Sequence, residues 1–315
     1  MNILLAPMEG VIDFTMRDML TRIGGIDRCI TEFVRVTNSR LPSRVFYRYC
    51  PELQKGGVTP SGVPVYVQLL GSDPHFMAVN AERVVELGAP GIDINFGCPA
   101  KTVNRHQGGS ILLQTPVRIH GIVSSVRLSV PDNIPVTVKI RLGYADSNLF
   151  VDIVGAIIDA GANEITIHAR TRSDGYKPPA YWHKLASVAA NSSIPLNANG
   201  EIWTVPDGEQ CLRDSACQHL MLGRGILACP DLARRLKYPS TNEAMTWYEV
   251  LNLLNEFQLN SMQLYDPRYA GNRLKQWLGY LRRNYPQAQQ LFEAIKRLHC
   301  PNDIAAALQD QQQAA

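Results

Sequence analysis

The stretch Gly91-Ile92-Asp93-Ile94-Asn95-Phe96-Gly97-Cys98-Pro99-Ala100-Lys101-Thr102-Val103-Asn104 places a cysteine directly after a short apolar segment. Ile92 and Ile94 alternate with other residues, which predicts a buried strand. Gly97 and Pro99 then end the strand and hold Cys98 in a turn. The carboxyl ends of strands carry the chemistry of α/β enzymes. Cys98 is therefore a candidate catalytic thiol, and the alternative is a structural cysteine in a tight turn.

Short apolar segments of the same kind recur along the first three quarters of the chain and alternate with helical patterns. The predicted strands cover residues 3–6, 29–34, 65–69, 91–95, 136–141, 164–168, 194–197 and 219–222. Eight strands that alternate with helices predict a TIM (β/α)8 barrel, here over residues 1–240. Polar residues without an obvious packing role fall at the predicted carboxyl ends: Gln68, Asn95, Cys98, Lys139, Arg141, His168, Asn199 and Arg224. Because these ends form the catalytic face of a barrel, we expect one site there.

The pattern becomes purely helical after Tyr238-Pro239, and it predicts a small all-α domain over residues 243–312. Three apolar stripes at helical spacing begin at Trp247, Leu274 and Leu291. A helix starting at Asn272 would carry a basic face opposite the second stripe, formed by Arg273, Gln276, Tyr280 and Arg283. Such a face suits nucleic-acid contacts, and the alternative is an ordinary solvated surface.

Composition bounds the partners and the compartment. The 315 residues carry a formal net charge of +3, so a nucleic-acid surface must be a local patch. The seven cysteines are odd in number and form no Cys-x-x-Cys pair, which predicts a reduced, cytoplasmic protein without a zinc or dithiol site. No segment reaches the length of a membrane span, and the amino-terminal apolar run is too short for a signal peptide. We predict no metal and no obligate protein partner.

Two glycine-rich turns follow the last two predicted strands, Asn199-Gly200-Glu201 and Gly223-Arg224-Gly225. In barrels such turns often bind a phosphate, and an arginine adds a bidentate positive charge. Lys139 lies in a buried strand and needs an anionic partner, because an unpaired buried ammonium is costly.

A flavin satisfies these requirements together. Its phosphate would lie at Arg224, and Lys139 would neutralise charge on the reduced ring. Gln68 would bond the ring edge, and Pro7-Met8-Glu9 would lie along it. His168 is either another flavin contact or a satisfied barrel histidine.

The thiol then has a definable task. A cysteine with an ordinary pKa near 8.5 is mostly protonated at neutral pH, so Cys98 can act as a general acid beside a hydride donor. That pairing would add a hydride and a proton across a polarised C=C bond. Gly108-Gly109 would let the following loop approach a ligand. No histidine is placed so that a Cys-His hydrolase is preferred.

Several motifs resemble the tRNA-dihydrouridine synthase family over essentially the whole chain. They are Ala6-Pro7-Met8-Glu9-Gly10-Val11, Val67-Gln68-Leu69-Leu70-Gly71, Asn95-Phe96-Gly97-Cys98-Pro99-Ala100-Lys101-Thr102-Val103, Val138-Lys139-Ile140-Arg141, Ala198-Asn199-Gly200-Glu201-Ile202 and Leu222-Gly223-Arg224-Gly225. Two further segments, at residues 29–36 and 273–278, resemble the bacterial class C subfamily, which acts on uridine 16 of the tRNA D-loop. The chain departs from the family pattern at Phe96 and at Arg105-His106-Gln107, where smaller residues are usual.

The resemblance implies an FMN-binding barrel and a helical tRNA-binding domain. NADPH would reduce FMN, reduced FMN would deliver a hydride to C6 of a flipped-out uracil, and Cys98 would protonate C5. The implied flavin ligands are Pro7, Met8, Glu9, Gln68, Lys139, His168, Asn199, Gly200, Glu201, Gly223 and Arg224. The implied tRNA contacts are Asn95, Arg141 and Tyr176 at the uracil or its nucleotide, with Arg35 and Arg273 as subfamily-specific contacts.

Two other functions remain open at this point. One is an FMN-dependent barrel reductase of a free pyrimidine or another small enone, which leaves the helical domain without a role. The other is a tRNA-binding protein without catalytic activity, which would carry no flavin.

Overall fold

Nine parallel strands form the sheet in the computed structural model, which describes residues 1–241 and 243–314. They are β1 Ile3–Leu5, β2 Arg28–Ile30, β3 Val34–Arg35, β4 Val65–Leu70, β5 Ile92–Asn95, β6 Val136–Arg141, β7 Glu164–His168, β8 Leu196–Asn199 and β9 His219–Leu222. Eight of them close into a barrel because β2 pairs with both β1 and β4, and β1 pairs with β9. The two-residue β3 extends the barrel wall beside β4. The predicted (β/α)8 barrel is confirmed.

The helices of the barrel surround this sheet. They are α1 Phe14–Ile23, α2 Ser43–Tyr49, α3 Pro74–Glu86, α4 Lys101–Arg105, α5 Pro116–Ser129, α6 Phe150–Asp159, α7 Ala186–Ala189, α8 Val205–Ser215, α9 Arg224–Ala228 and α10 Leu232–Lys237. Short 3₁₀ helices cover Pro51–Lys55, Gly109–Gln114, Trp182–Leu185 and Pro239–Thr241. Asp13, Asp73 and Thr204 begin α1, α3 and α8, where each side chain accepts a hydrogen bond from a first-turn N–H.

Side chains alternate between the two faces of each strand, and this alternation separates the core from the site. In β6, Val138 and Ile140 face the helices and are fully buried in the hydrophobic core. Thr137, Lys139 and Arg141 point the other way, into the barrel, because successive residues of a strand face opposite sides. The inward-facing side chains of other strands also include a separate apolar cluster, formed by Leu4, Ala6, Ile30, Tyr66 and Met221.

Four helices follow the barrel. They are α11 Trp247–Leu264, α12 Pro267–Leu281, α13 Pro286–Ile295 and α14 Pro301–Ala314. Their apolar stripes are buried in the same hydrophobic core as the outer wall of the barrel. The indole N–H of Trp277 donates to the carbonyl of Leu227 at 3.0 Å, and the amide of Asn284 donates to the carbonyl of Ala228 at 2.9 Å. The helical region is therefore fastened to α9 through buried contacts.

Three predicted boundaries were wrong. The strand expected over 29–34 is interrupted between β2 and β3, because Thr31 turns its hydroxyl to the backbone N–H of Gln68 at 3.0 Å. The strand expected over 194–197 lies two residues later, since Ser192 closes a small turn with the carbonyl of Ile194 at 2.7 Å. The helix expected from Asn272 already begins at Pro267, where Asp266 caps it. Among the helices of the described residues, none has the length and hydropathy required to cross a bilayer.

Candidate active site

A cavity of about 630 Å³ opens where the barrel strands end. Its volume lies within the roughly 300–1,000 Å³ of typical cofactor and ligand clefts. The predicted residues that line it are Pro7, Met8, Glu9, Gln68, Asn95, Cys98, Lys139, Arg141, His168, Tyr176, Asn199, Gly200, Glu201, Gly223 and Arg224. Arg35, exposed on β3, and Arg273 lie outside this lining. The fold thus brings the two glycine-rich turns and the cysteine to one opening.

The loop that carries Cys98 is held by its own hydrogen bonds. The side-chain oxygen Oδ1 of Asn95 accepts from the backbone N–H groups of Gly97 and Cys98, at 2.8 and 3.0 Å. Asn104 donates to the carbonyl of Cys98 at 3.1 Å. Gly109 has φ +66°, and a Cβ there would lie 2.8 Å from that carbonyl. Gly109 therefore lets its backbone approach the Cys98 loop, and the expectation that the Gly108-Gly109 loop approaches a ligand stays a prediction.

The two departures from the family pattern have local explanations. Phe96 is fully buried and belongs to the hydrophobic core. Arg105 ends the short helix α4, and Gln107 adopts a left-handed backbone with φ +59°. Ser110 then bonds back through its hydroxyl to Asn104 at 3.0 Å. The substituted segment therefore forms a turn that closes behind the cysteine loop.

The surroundings of Cys98 keep its thiol protonated. Burial raises the pKa of the Cys98 thiol, and the charge of Glu9 raises it further. A hydrogen bond from the backbone of Ala100 and the charge of Arg141 oppose the rise without cancelling it. The half-buried thiol is therefore an acid at neutral pH rather than a thiolate nucleophile.

Lys139 places a buried ammonium in the cavity. Its Nζ donates to Oδ1 of Asn199 at 2.8 Å, and Asn199 is in turn held by the carbonyl of Met221 at 2.8 Å. Burial lowers the pKa of Lys139 to about 7, while the negative charge of Asp93 acts in the opposite direction. Within the part of the chain that the structure describes, Lys139 forms no salt bridge. An anionic ligand in the cavity would place a further negative charge beside Lys139 and raise this pKa.

His168 and Gly200 lie side by side in the cavity lining. Nε2 of His168 is buried and has no hydrogen-bond partner among the described residues. Burial and the charges of Arg141 and Lys139 hold the pKa of His168 well below its usual value, so the ring is neutral. Gly200 has φ +115°, and a Cβ there would lie 2.8 Å from the imidazole. The buried ring nitrogen of His168, the amine of Lys139 in the cavity wall and the cavity volume fit a flavin.

Glu201 holds arginines rather than facing the cavity with a free carboxylate. Its Oε2 pairs with Arg170 and lies 3.5 Å from Nη2 of Arg224, and its Oε1 accepts from the indole of Trp203 at 2.7 Å. Burial alone would raise the pKa of Glu201, but the bonds from Arg170 and Trp203 lower it. The guanidinium of Arg224 is 5.3 Å from the ring centre of Tyr176. Arg224 is thereby fixed at the cavity rim, where the phosphate was predicted.

Arg141 uses most of its donors to position backbone. Its Nε donates to the carbonyl of Gly97 at 2.8 Å, and its Nη1 donates to the carbonyl of Gly175 at 2.9 Å. Its guanidinium lies 5.2 Å from the ring centre of Tyr176, whose side chain is 55% exposed. Arg141 therefore joins the Cys98 loop to the exposed aromatic ring beside it.

The helical region supplies one wall of the cavity. Tyr280 of α12 lines it, and the guanidinium of Arg283 lies 4.0 Å from the ring centre of Trp203. Arg273 is half-buried and donates to the carbonyls of Gly10 and Val11 at 2.5 and 2.8 Å. The predicted outward basic face is thus partly wrong, because the barrel covers part of this side of α12.

Sequence reasoning missed several residues of the site. Glu32, Trp203 and Tyr280 line the cavity, and Arg170 is buried behind it. Glu32 accepts a hydrogen bond from the backbone N–H of Gly10, which holds the loop after β1. Glu32 lies inside the strand predicted over residues 29–34, and an acidic residue in an otherwise apolar strand could have marked it as a candidate site residue.

Comparisons with known proteins agree on the family. The model of the dihydrouridine synthase (Dus) family matches residues 4–315. A protein named tRNA-dihydrouridine(16) synthase from Vibrio cholerae is 50% identical over 299 residues, which are 95% of this chain and 92% of that protein. A protein of the same name from Shewanella oneidensis is 47% identical over 312 residues, covering 99% of this chain and 98% of its own.

Solved structures show the same fold at low sequence identity. An old yellow enzyme homologue from Zymomonas mobilis matches with a TM-score of 0.53 and 12% identity, over 78% of this chain and 90% of that one. Morphinone reductase in complex with tetrahydroNAD matches with a TM-score of 0.51 and 12% identity, over 78% and 88%. These likenesses concern the barrel architecture.

Proposed function

The chain belongs to the dihydrouridine synthase family, and from this membership we propose that it reduces uridine 16 of the tRNA D-loop to 5,6-dihydrouridine. It would do so as a flavin-dependent enzyme that uses a nicotinamide nucleotide, with FMN as the flavin and NADPH as the reductant. Since tRNA is the substrate, we expect the enzyme in the cytoplasm. The observation that carries the chemistry is the half-buried thiol of Cys98 on the wall of the cavity that Lys139 and His168 also line.

Relatives support the choice of substrate and of the uridine. The two relatives named tRNA-dihydrouridine(16) synthase align with this chain over more than nine tenths of their own length. The alternative, reduction of a free pyrimidine or another small enone, is not favoured, because the same similarity extends through the helical region.

The cavity residues supply the proton and the orientation. A bound reduced flavin would supply the hydride that C6 of the uracil receives. Cys98 donates its proton to C5, which requires the thiol to be protonated before the step. Asn95, Arg141 and Tyr176 would hold the extruded base, since all three line the same cavity as Cys98. The base has to leave its stack because groups must reach both faces of the ring.

Two sets of cavity residues would hold the flavin. Arg224 and the turns at Gly200 and Gly223 would receive the phosphate. Lys139 and His168 would meet the ring, because among the described residues Lys139 forms no salt bridge and the buried Nε2 of His168 has no hydrogen-bond partner. The remaining predicted contacts are Pro7, Met8, Glu9, Gln68, Asn199 and Glu201, the last acting through Arg224.

The two parts of the chain would divide the work. Residues 1–240 would form the FMN-binding catalytic domain, and residues 243–312 would bind tRNA. Arg35 and Arg273 would contact the RNA. The exposed side chains of Arg283 and Tyr176, next to Trp203 and Arg224, extend this surface to the cavity mouth.

The deciding experiment maps dihydrouridine in tRNA from a strain that lacks this gene. We expect loss of the modification at position 16 alone, and its return when the wild-type gene is supplied. Purified enzyme should be yellow, and with NADPH it should reduce the tRNA but not free uridine. Turnover of free uridine at a comparable rate, or unchanged position 16 in the deleted strain, would overturn the proposal.

A further inference from the structure

A buried carboxylate lies inside the barrel, in the strand that leads to the cysteine loop. Asp93 of β5 is 1% exposed and lies outside the cavity lining. Its Oδ2 accepts from Nε2 of Gln68 at 2.7 Å, and its Oδ1 accepts from the hydroxyl of Thr137 at 2.6 Å. The strand register places Asp93 directly between these two residues. An ionised carboxylate accepts only, so both partners must donate to it.

The chain of hydrogen bonds continues from Gln68 to the loop. Oε1 of Gln68 accepts from Nδ2 of Asn95 at 2.8 Å. Oδ1 of Asn95 then accepts from the backbone N–H groups of Gly97 and Cys98. Every bond in this chain therefore points the same way, from the loop towards Asp93.

Both ends of the chain fix this direction. A backbone N–H only donates, so the atom of Asn95 that faces it must be the oxygen. The Asp93 carboxylate only accepts while it is ionised, so the atom of Gln68 that faces it must be the nitrogen. Burial raises the pKa of Asp93 to about 6, and hydrogen bonds from Thr137 and Gln68 oppose the rise, so it is ionised at neutral pH. A flipped carboxamide would set two donors, or two acceptors, against each other in a buried site.

The fixed direction also decides what the cavity offers a ligand. A carboxamide nitrogen has two protons, and the chain uses one from Gln68 and one from Asn95. Both side chains line the cavity. Their remaining protons are therefore available to hydrogen-bond acceptors such as the carbonyl oxygens of a flavin or a uracil.

We propose that Asp93 is a positioning residue of this site: by accepting from Gln68, it orients Gln68 and Asn95 so that they anchor the Cys98 loop and present N–H donors to the ring carbonyls of the ligands. Asp93 touches neither ligand and acts through the two carboxamides. The inference rests on the proposed function for the identity of the ligands, whereas the anchoring of the loop is a property of the chain itself.

Two substitutions of similar shape test whether Asp93 acts as a hydrogen-bond acceptor or only fills space. Asp93→Leu removes both acceptor oxygens, so the buried nitrogen of Gln68 loses its acceptor and the side chain is no longer held where it accepts from Asn95. Asp93→Asn keeps one oxygen for Gln68, and its amide can donate to Thr137, so the direction of the chain survives. Thr166→Val is the matched control, because Thr166 is buried in the barrel outside the cavity lining and bonds Asn197 at 2.9 Å.

The readout beside turnover is alkylation of Cys98 by iodoacetamide in the flavin-loaded enzyme. The measurement uses a Cys300→Ser background, because Cys300 is the exposed cysteine of the described residues and the five others besides Cys98 are buried. The loop should become mobile in Asp93→Leu, so Cys98 should react faster than in the parent. We expect kcat on tRNA to fall by about 10- to 100-fold with KM little changed. Asp93→Asn and Thr166→Val should keep the parental alkylation rate.

Two results would overturn the proposal: a parental alkylation rate in Asp93→Leu, or the same raised rate in Asp93→Asn. If Asp93→Leu does not fold, Asp93→Ala removes the same oxygens without adding volume and is held to the same outcomes. Alkylation does not require tRNA reduction. A wild-type enzyme that leaves tRNA unreduced would therefore contradict the proposed function while the test of Asp93 still gives its answer.

Discussion

The guanidinium of Arg273 forms a salt bridge of 2.9 Å with the carboxylate of Asp13, which caps the first helix of the barrel. The hydroxyl of Tyr265 donates to the same carboxylate at 2.8 Å. Arg273 also binds the carbonyls of Gly10 and Val11. The helical region therefore grips the loop that places Met8 and Glu9 at the cavity.

Arg273 could contact a tRNA phosphate or only hold the helical region against the barrel. The salt dependence of tRNA binding distinguishes these two roles. Arg273→Ala is predicted to weaken tRNA binding and to make its dependence on salt concentration shallower, because one phosphate contact is lost. Tyr265→Phe is the control, since it removes a bond to Asp13 without removing a charge. Binding titrations at several salt concentrations measure both variants. Equal weakening with an unchanged slope in both would assign Arg273 to the barrel contact alone.

Cys98→Ala should bind tRNA normally and barely reduce it. Loss of a general acid typically costs about 10²- to 10⁴-fold in rate. Single-turnover reduction of tRNA by the pre-reduced enzyme measures this step directly. Cys300→Ala is the matched control because that thiol is exposed and lies outside the cavity lining. A Cys98→Ala rate close to wild type would refute the acid role.

The rate should persist to alkaline pH. A general acid works while it is protonated, and burial raises the pKa of Cys98, so the loss of rate should come at a higher pH than the value near 8.5 of a free thiol. Glu9→Gln removes a charge that raises this pKa, and the loss should then move to lower pH. Single-turnover rates between pH 6 and about 10 test both statements. An identical profile in the two proteins would contradict the assignment.

Flavin binding should be accompanied by proton uptake at pH 8. The pKa of Lys139 is about 7 in the protein without ligand, so in most molecules its side chain is neutral at pH 8. A bound anionic group would raise this pKa and draw a proton from the buffer. Calorimetric titration of the flavin-free protein in buffers of different ionisation enthalpy measures the uptake. It should vanish in Lys139→Met and shrink at pH 6, where Lys139 is already protonated.

The architecture was readable from the sequence because eight short apolar segments alternate with helical patterns. Lys139 and Arg141 were expected on one side of their strand, and they do face the barrel interior together. The exact ends of β2 and β8 were not readable. They depend on Thr31 bonding Gln68 and on a turn at Ser192, and both are contacts of single side chains.

The content of the cavity was largely readable, whereas the partnerships inside it were not. Cys98 and Arg224 belong to short sequence motifs that directly follow predicted strands, so they could be identified without the fold. Glu201 was predicted to bind the ligand. Its salt bridge with Arg170 was not predictable, because it depends on contacts between residues far apart in the sequence. Asp93 looked like one residue of an apolar strand, because only the register of neighbouring strands sets it opposite Gln68.

Trp277 is buried, and its bond to Leu227 ties the helical region to the barrel within a shared core. Rocking one part against the other would break this bond where no water can replace it. We therefore expect the width of the cleft to stay constant when RNA binds. The distortion that admits a nucleotide should then fall on the RNA rather than on the cleft.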